Sequence, residues 1–340
     1  MNDKIAGKFR GTGVKAGLMY GMAEFYGGGA FVIINTFFLV FLTKALGMPA
    51  ALAGAIPMVG KVWDAITDPM MGNITDRTSS RFGPKRLYIL IGGILSAIAF
   101  ISLWTTIPSR STTVQFIYYI VMYCLFSTCF TIIMVPYNGL LPDMVDSYDI
   151  RSKFSSLRMI WSTVGAILAG LVPTLMIKDT LNTSMYLKVA IIFGILFGFA
   201  AVVTFIGTWE KVKPPVKTKL RDSFSEASSV LRSRSFKIFI GIYLSGQCAM
   251  DFVSGMAIYY VDDVLGGYDK GYLTMLMGVL LSSQLVGMII FTPIMTRTSK
   301  RTTILIGAPI RLASTLGLLA FSYAGAPIVP VLLLLSLIHI

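Results

Sequence analysis

The chain has 340 residues, of which 55% are hydrophobic and only 13% charged. A water-soluble domain carries about 25% charged residues, so a soluble globular protein is excluded and a polytopic membrane protein is expected. The formal charge of +13 is no nucleic-acid footprint, because the basic residues collect in alternate connections between apolar runs, as membrane topology requires.

The apolar runs are continuous rather than alternating, which favours helices over a barrel. Ten segments emerge, at roughly 18–42, 51–72, 87–107, 114–141, 157–177, 186–208, 237–261, 271–294, 303–322 and 327–340. The arm before the first, "MNDKIAGKFRGTGVK", is basic. The first run is long enough to span, so no cleavable leader is expected. Twenty-one of the 29 basic residues fall in the N-terminal arm and in the connections 77–86, 151–153, 211–237 and 297–301. Five, namely Lys44, Arg110, Lys178, Lys188 and Lys270, fall on the opposite side. This asymmetry predicts a multi-pass protein of the cytoplasmic membrane, with the N-terminus and the long central connection cytoplasmic.

The stretch "KVKPPVKTKLRDSFSEASSVLRSRSFK" is the one long polar connector. It divides the chain into a six-helix bundle (1–208), a cytoplasmic loop (209–236) and a partial second bundle (237–340). Two similar passages support an internal repeat. "DRTSSRFGPKRLYILIGG" follows the second segment and "TRTSKRTTILIGA" follows the eighth. On that reading the second half lacks spans. The last segment, of 14 residues, is too short to cross, so a C-terminally truncated chain is expected.

Ionisable residues inside spans cost at least about 2.5 kcal/mol on insertion scales and mark cavities or partners. Span 1 holds Glu24, beside Gly27, Gly28 and Gly29, which leave room for close approach. Span 2 holds Lys61, Asp64 and Asp68. The two aspartates are i and i+4, hence on one helical face, with Lys61 three residues before. Two carboxylates so close do not both ionise cheaply. One is protonated, or a cation lies between them. Oxygen ligands suit a hard ion such as Na⁺, and Thr67 and Thr131 supply neutral oxygens. Pro69 frees a backbone carbonyl next to the pair. A purely structural use of the pair, with Lys61 neutralising Asp64, is the alternative. Arg158 opens span 5, and Asp251 lies in span 7 either on a substrate pathway or in an interhelical hydrogen bond. The cysteines (Cys124, Cys129, Cys248) fit no zinc or redox spacing. With one histidine, His339, and no metalloprotease, nucleophile-elbow or P-loop motif, an enzyme is not expected.

Three passages, "WDAITDPMMGNITDRTSSRFGPKRLYILIGG", "VPYNGLLPDMVDSYDIRSKFSSLRM" and "GMAIYYVDDVLG", resemble the glycoside–pentoside–hexuronide:cation symporters of the major facilitator superfamily. The resemblance runs over essentially the whole chain. It implies an all-α fold of twelve spans in two six-helix bundles, of which this chain carries the first bundle and an incomplete second. It implies symport of a sugar, glycoside or hexuronide with a monovalent cation, Na⁺ or H⁺, bound by Asp64, Asp68 and Thr131, with Thr67 where an asparagine is frequent. It places Arg158 near the sugar and a gating motif on Asp76, Arg77, Arg81, Gly83, Lys85 and Arg86. The chain departs from the family's galactoside carriers. Gly28 stands for a sugar-binding Asp, and Met134 and Asn138 stand for an Asp and a Trp. Glu24, Tyr26, Asn138, Arg158, Trp161 and Asp251 are therefore the candidates for a different pocket. A lysolipid or other amphiphile is the alternative cargo, and a non-transporting fragment the blander one. No cofactor beyond the coupling ion and no nucleic acid is expected, and a monomer in the lipid bilayer is.

Overall fold

The computed structural model describes residues 13–109, 111–210, 233–264, 271–298 and 300–320, with isolated positions 330 and 334. Helices account for nearly all of them: α1 (Val14–Phe38), α2 (Ala50–Arg77), α3 (Pro84–Leu103), α4 (Thr112–Met144), α5 (Tyr148–Met176), α6 (Thr183–Gly207), α7 (Arg234–Tyr259), α8 (Tyr272–Arg297) and α9 (Lys300–Leu319). The first nine apolar segments of the sequence fall on these helices. The tenth lies outside the described residues, apart from positions 330 and 334, as do most of the N-terminal arm and of the central connector.

Among the described residues, α1, α3, α4, α5 and α6 are long and apolar enough to cross a membrane. Helix α2 has the length, 28 residues, but Lys61, Asp64 and Asp68 interrupt its apolar character. It keeps helical form through Pro57 and Pro69, although each proline deprives a carbonyl one turn earlier of its donor. Several helices outrun their apolar runs. Helix α5 begins at Tyr148, through the polar "YDIRSKFSS", because a backbone leaving the bilayer keeps its hydrogen bonds by staying helical.

Small residues set how closely the helices of the first bundle approach. A side chain at Gly28 would strike the backbone carbonyl of Ser162, one at Gly29 would press on the carbonyl of Gly165, and one at Gly165 would strike the carbonyl of Phe25. Helices α1 and α5 therefore touch backbone to backbone. Gly92 admits Ile132 and Ile133 of α4 against α3, and Gly93 admits Ala201 of α6. Aromatic rings fill the end of the bundle near Trp104, where Phe38, Phe41, Tyr119 and Tyr186 surround that side chain.

Helix α1 ends in a π-turn, Ile34–Phe38, a second, Phe41–Ala45, follows it, and α7 runs on into another, Tyr260–Val264. Such turns are frequent at functional sites. Here they face each other. Asn35 Nδ2 donates to Asp251 Oδ1 at 3.0 Å, Thr43 and Tyr259 share a hydrogen bond, and Lys44 pairs with Asp262 and, at 3.4 Å, with Asp263. Beside this seam Leu276, Met277 and Leu280 of α8 are buried, and α8 packs on α5. The opposite end differs. Helix α7 is exposed over almost all of 234–249, as are Ser155, Ser156, Met159 and Ile160 of α5. The described helices of the two halves thus meet at the end that carries Lys44 and stand apart at the other.

Candidate functional site

Helices α2 and α4 lie side by side, and their polar faces match turn for turn. Ser127 Oγ donates to Asp64 Oδ1, and Thr131 Oγ1 donates to Asp68 Oδ1 at 2.7 Å. Each pair is 63 positions apart, so one i, i+4 pair of carboxylates meets one i, i+4 pair of hydroxyls in parallel register. Trp63 Nε1 adds a 2.8 Å bond to Thr128 Oγ1. Asp64 is half-buried and Asp68 exposed.

Lys61 does not neutralise Asp64 by a direct ion pair. Its Nζ lies 4.0 Å from Asp251 Oδ2 and 5.3 Å from the centre of the Phe31 ring. Lys61, Asp64 and Asp68 share one side of the helix, on which Lys61 reaches α1 and α7 while the two aspartates bond to α4. Thr67 turns instead to its own helix and donates to the Trp63 carbonyl at 3.2 Å, so it does not join the carboxylates as the sequence suggested.

A second polar group forms among α1, α4 and α5. Arg158 Nη2 donates to Glu24 Oε1 at 3.1 Å and to Asn138 Oδ1 at 2.6 Å, and its Nε lies 3.1 Å from Glu24 Oε2. The guanidinium rests 4.8 Å from the centre of the Tyr137 ring, and Tyr20 stacks on Tyr137 at 5.0 Å. The geometry depends on Gly21, where a side chain would press on the Arg158 backbone. Trp161, one turn beyond Arg158, packs edge-on to Phe25, and its indole N–H is buried without a hydrogen-bond partner. Tyr20 and Tyr137 are fully buried beside Arg158.

Two expected members are elsewhere. Tyr26 is 1% exposed, bonded to Ser96 of α3 and enclosed by Phe130 and Phe197. It holds the bundle together and presents no face to a solute. Asp251 belongs to the α1–α7 seam, with Asn35, Gln247 (3.1 Å) and Lys61 around it, rather than to the Arg158 group. Ser127, Tyr20 and Tyr137 are not singled out by sequence reasoning. Ser127 has a signal, lying one turn before Thr131 just as Asp64 lies one turn before Asp68.

The loop residues expected to form a gating motif build an anchor within the first bundle. Gly83 adopts φ +92°, open to glycine at no cost, and a side chain there would collide with Glu210. The Glu210 carboxylate thus reaches the N-terminus of α3, accepting from the backbone N–H of Lys85 at 3.0 Å and of Arg86 at 3.5 Å, a favourable place for a negative charge. Burial nevertheless pushes the Glu210 carboxyl above the ordinary glutamate value of 4.5, against the lowering effect of those two N–H groups and of the Lys85 ammonium. Lys85 Nζ donates to the Gly139 carbonyl at 2.9 Å and pairs with Asp143, both on α4. Arg86 Nη2 donates to the Phe205 carbonyl at 2.7 Å. Arg81 covers the Phe82 ring at 4.7 Å, while Asp76 and Arg77 are exposed.

A family model described as "MFS/sugar transport protein" matches residues 19–340. The chain belongs to that family. This MFS/sugar transport protein is 38% identical over 158 residues to the "Uncharacterized symporter sll1374" of Synechocystis sp., covering 45% of the chain and 29% of the relative. It is 24% identical over 301 residues to the "Isoprimeverose transporter" of Lactiplantibacillus pentosus, covering 85% of the chain and 60% of the relative. The chain therefore spans less than two thirds of either relative. Among solved structures, the nucleoside transporter NupG superposes with a TM-score of 0.66 at 15% identity, over 95% of this chain and 78% of that one. The fold is that of the major facilitators, in a multi-pass membrane protein.

Proposed function

We propose that this chain is the transporting part of a cation-coupled symporter. It moves a sugar or glycoside-like solute inward across the cytoplasmic membrane, as a monomer, with Na⁺ or H⁺ as the coupling ion. The observation that carries the reading is the matched pairing of Asp64 and Asp68 with Ser127 and Thr131. Four hard oxygen donors, two of them anionic, line the contact between α2 and α4 in two pairs one turn apart. A small cation or a proton relieves the mutual repulsion of the acids, and the hydroxyls turn their lone pairs to a metal ion when one enters.

The coupling path is α4. Ser127, Thr131 and Asn138 are spaced by four and seven residues and share one face of that helix. Asn138 in turn holds Arg158, about 10 Å along the axis from Thr131. Drawing α2 and α4 together around an ion therefore acts on the helix that orients the solute-binding group. Alternating access then consists of the halves 1–208 and 237–340, joined by 209–236, rocking about this level. The seam at Lys44, which the positive-inside count places outside, is the closed end. The loop anchor of Gly83, Lys85 and Arg86 stiffens the first half as it moves.

The test is uptake into proteoliposomes carrying the complete protein, with a labelled panel of neutral mono- and disaccharides that includes isoprimeverose. An inward Na⁺ gradient or pH gradient should drive accumulation of at least one, and Thr131→Ala should raise the half-saturating cation concentration several-fold. Uptake indifferent to both gradients would overturn the coupling.

A further inference from the structure

We propose that Glu24 is a built-in counter-ion that occupies the carboxylate seat at Arg158, so that the site takes neutral polyhydroxylated solutes in preference to their uronate counterparts. This rests on the reading of the site as a sugar pocket.

A guanidinium is charged at every accessible pH and offers a flat fork that fits a carboxylate with two parallel bonds. In an uncharged cavity such a fork would select an acidic sugar. Here the Nε–Nη2 edge of that fork already faces a carboxylate, hydrogen-bonded through Nη2 and in ion-pair range through Nε. Nε and Nη2 meet the two oxygens of Glu24 at 3.1 Å each, the remaining Nη2 proton goes to Asn138 at 2.6 Å, and one face of the group is covered by the Tyr137 ring. The side chains of Arg158 and Glu24 are only 22% and 14% exposed, so water screens the pair poorly and the pair carries no net charge. A second carboxylate entering at Arg158 would be brought against Glu24, whose like charge repels it in a weakly screened setting. Glu24 Oε2, in ion-pair range of Nε, is itself buried without a hydrogen bond. The indole N–H of Trp161 is neutral, and with the Asn138 amide it matches hydroxyl groups rather than a charge.

Two measurements test this on the purified complete protein. The first is the melting temperature of wild type and of Glu24→Ala in acetate against chloride at equal ionic strength. Wild type should respond alike to both salts, while Glu24→Ala should be stabilised by acetate specifically, the small carboxylate refilling the vacated seat. The second is the affinity for matched pairs of methyl glycosides that differ only in a C6 hydroxymethyl or carboxylate group. Wild type should favour the neutral member by tenfold or more, and Glu24→Gln, which keeps the shape and drops the charge, should narrow or reverse that ratio by at least tenfold. Wild type binding a uronate as tightly as its neutral partner overturns the proposal, as does a Glu24→Ala protein blind to acetate. Where Glu24→Ala does not fold, the Glu24→Gln ratio decides alone. Acetate rescue without binding of any sugar would uphold the counter-ion and remove the sugar reading.

Discussion

Replacing Asp64 by Asn separates the two roles that this carboxylate plays. Asparagine is isosteric and its carbonyl still accepts from Ser127, so packing between α2 and α4 is unchanged and only a charge is lost. In the cation-free protein that loss is favourable. Unit charges about 6 Å apart, one helical turn, repel by about 3 kcal/mol at an effective dielectric of 20, an upper bound here because Asp68 is exposed. The variant should therefore melt at a higher temperature than wild type when no coupling ion is present. With the ion the gap narrows. Removing one charged ligand costs about 1.5–3 kcal/mol, a roughly ten- to hundred-fold weaker affinity. An ion at a hundred times its wild-type Kd stabilises wild type by about 2.7 kcal/mol, but the variant by only about 0.4–1.4 kcal/mol. Melting curves of the detergent-solubilised protein with and without NaCl, against choline chloride and across a pH series, read both effects. Gradient-driven uptake should fall to background. A variant with unchanged cation-dependent melting and unchanged uptake would refute the reasoning, and so would one that is less stable without the ion, which would make Asp64 a structural acid.

Two further outcomes follow from contacts outside that pair. Lys44→Ala removes the ion pairs to Asp262 and Asp263, partly exposed contacts worth up to about 1 kcal/mol. It should raise labelling of an Asn35→Cys probe by an impermeant maleimide about three- to five-fold in a cysteine-free background, and equal labelling would show that the seam is no gate. Glu210→Gln reads the raised carboxyl at the start of α3. An acid whose folded value lies above its unfolded one takes up protons on folding, so its contribution to stability is fully present below pH 4.5 and is lost as pH rises through the folded value. The melting temperature of wild type relative to Glu210→Gln should decline upward from pH 4.5. A wild-type advantage that grows with pH would contradict burial as the dominant cause.

What the sequence disclosed was whatever lies within one helix. Apolar runs placed nine helices to within three turns, and the i, i+4 spacing put Asp64 and Asp68 on a common face without any knowledge of their neighbours. The misreadings are all about direction between helices. Tyr26 and Glu24 are two residues apart in the same glycine-rich stretch, yet only Glu24 points to Arg158 while Tyr26 points to Ser96 on the far side. No periodicity in span 1 distinguishes them, because the rotation of α1 is set by Gly28 and Gly165 against α5. For Asp251 the sequence left open a substrate pathway or an interhelical hydrogen bond; the structure shows the bond, but its partner Asn35, 216 positions earlier, was not legible. The π-turns that bring that pair into line leave no mark on hydropathy at all.

The two polar groups also differ in a way that bears on their division of labour. The α2–α4 group carries two carboxylates bonded only to neutral hydroxyls, so it holds negative charge with no cation bonded to it directly, and its state changes with whatever ion arrives. The Glu24–Arg158 group is self-neutralised and bonded on three helices, so it keeps one state whether or not an ion is present. A transporter that uses the first to sense the ion and the second to grip a neutral solute needs a mechanical link, since a neutral solute is not drawn in by the ion's field. In the proposed function helix α4 is that link. It carries the hydroxyls of one group and the amide of the other on the same face, with the buried side chain of Met134 between them. Tightening at Thr131 is thereby transmitted as a displacement of Asn138 rather than as a change in potential. Coupling by displacement should survive high salt, which screens exposed charges within about 3 Å at 1 M but leaves helix packing intact.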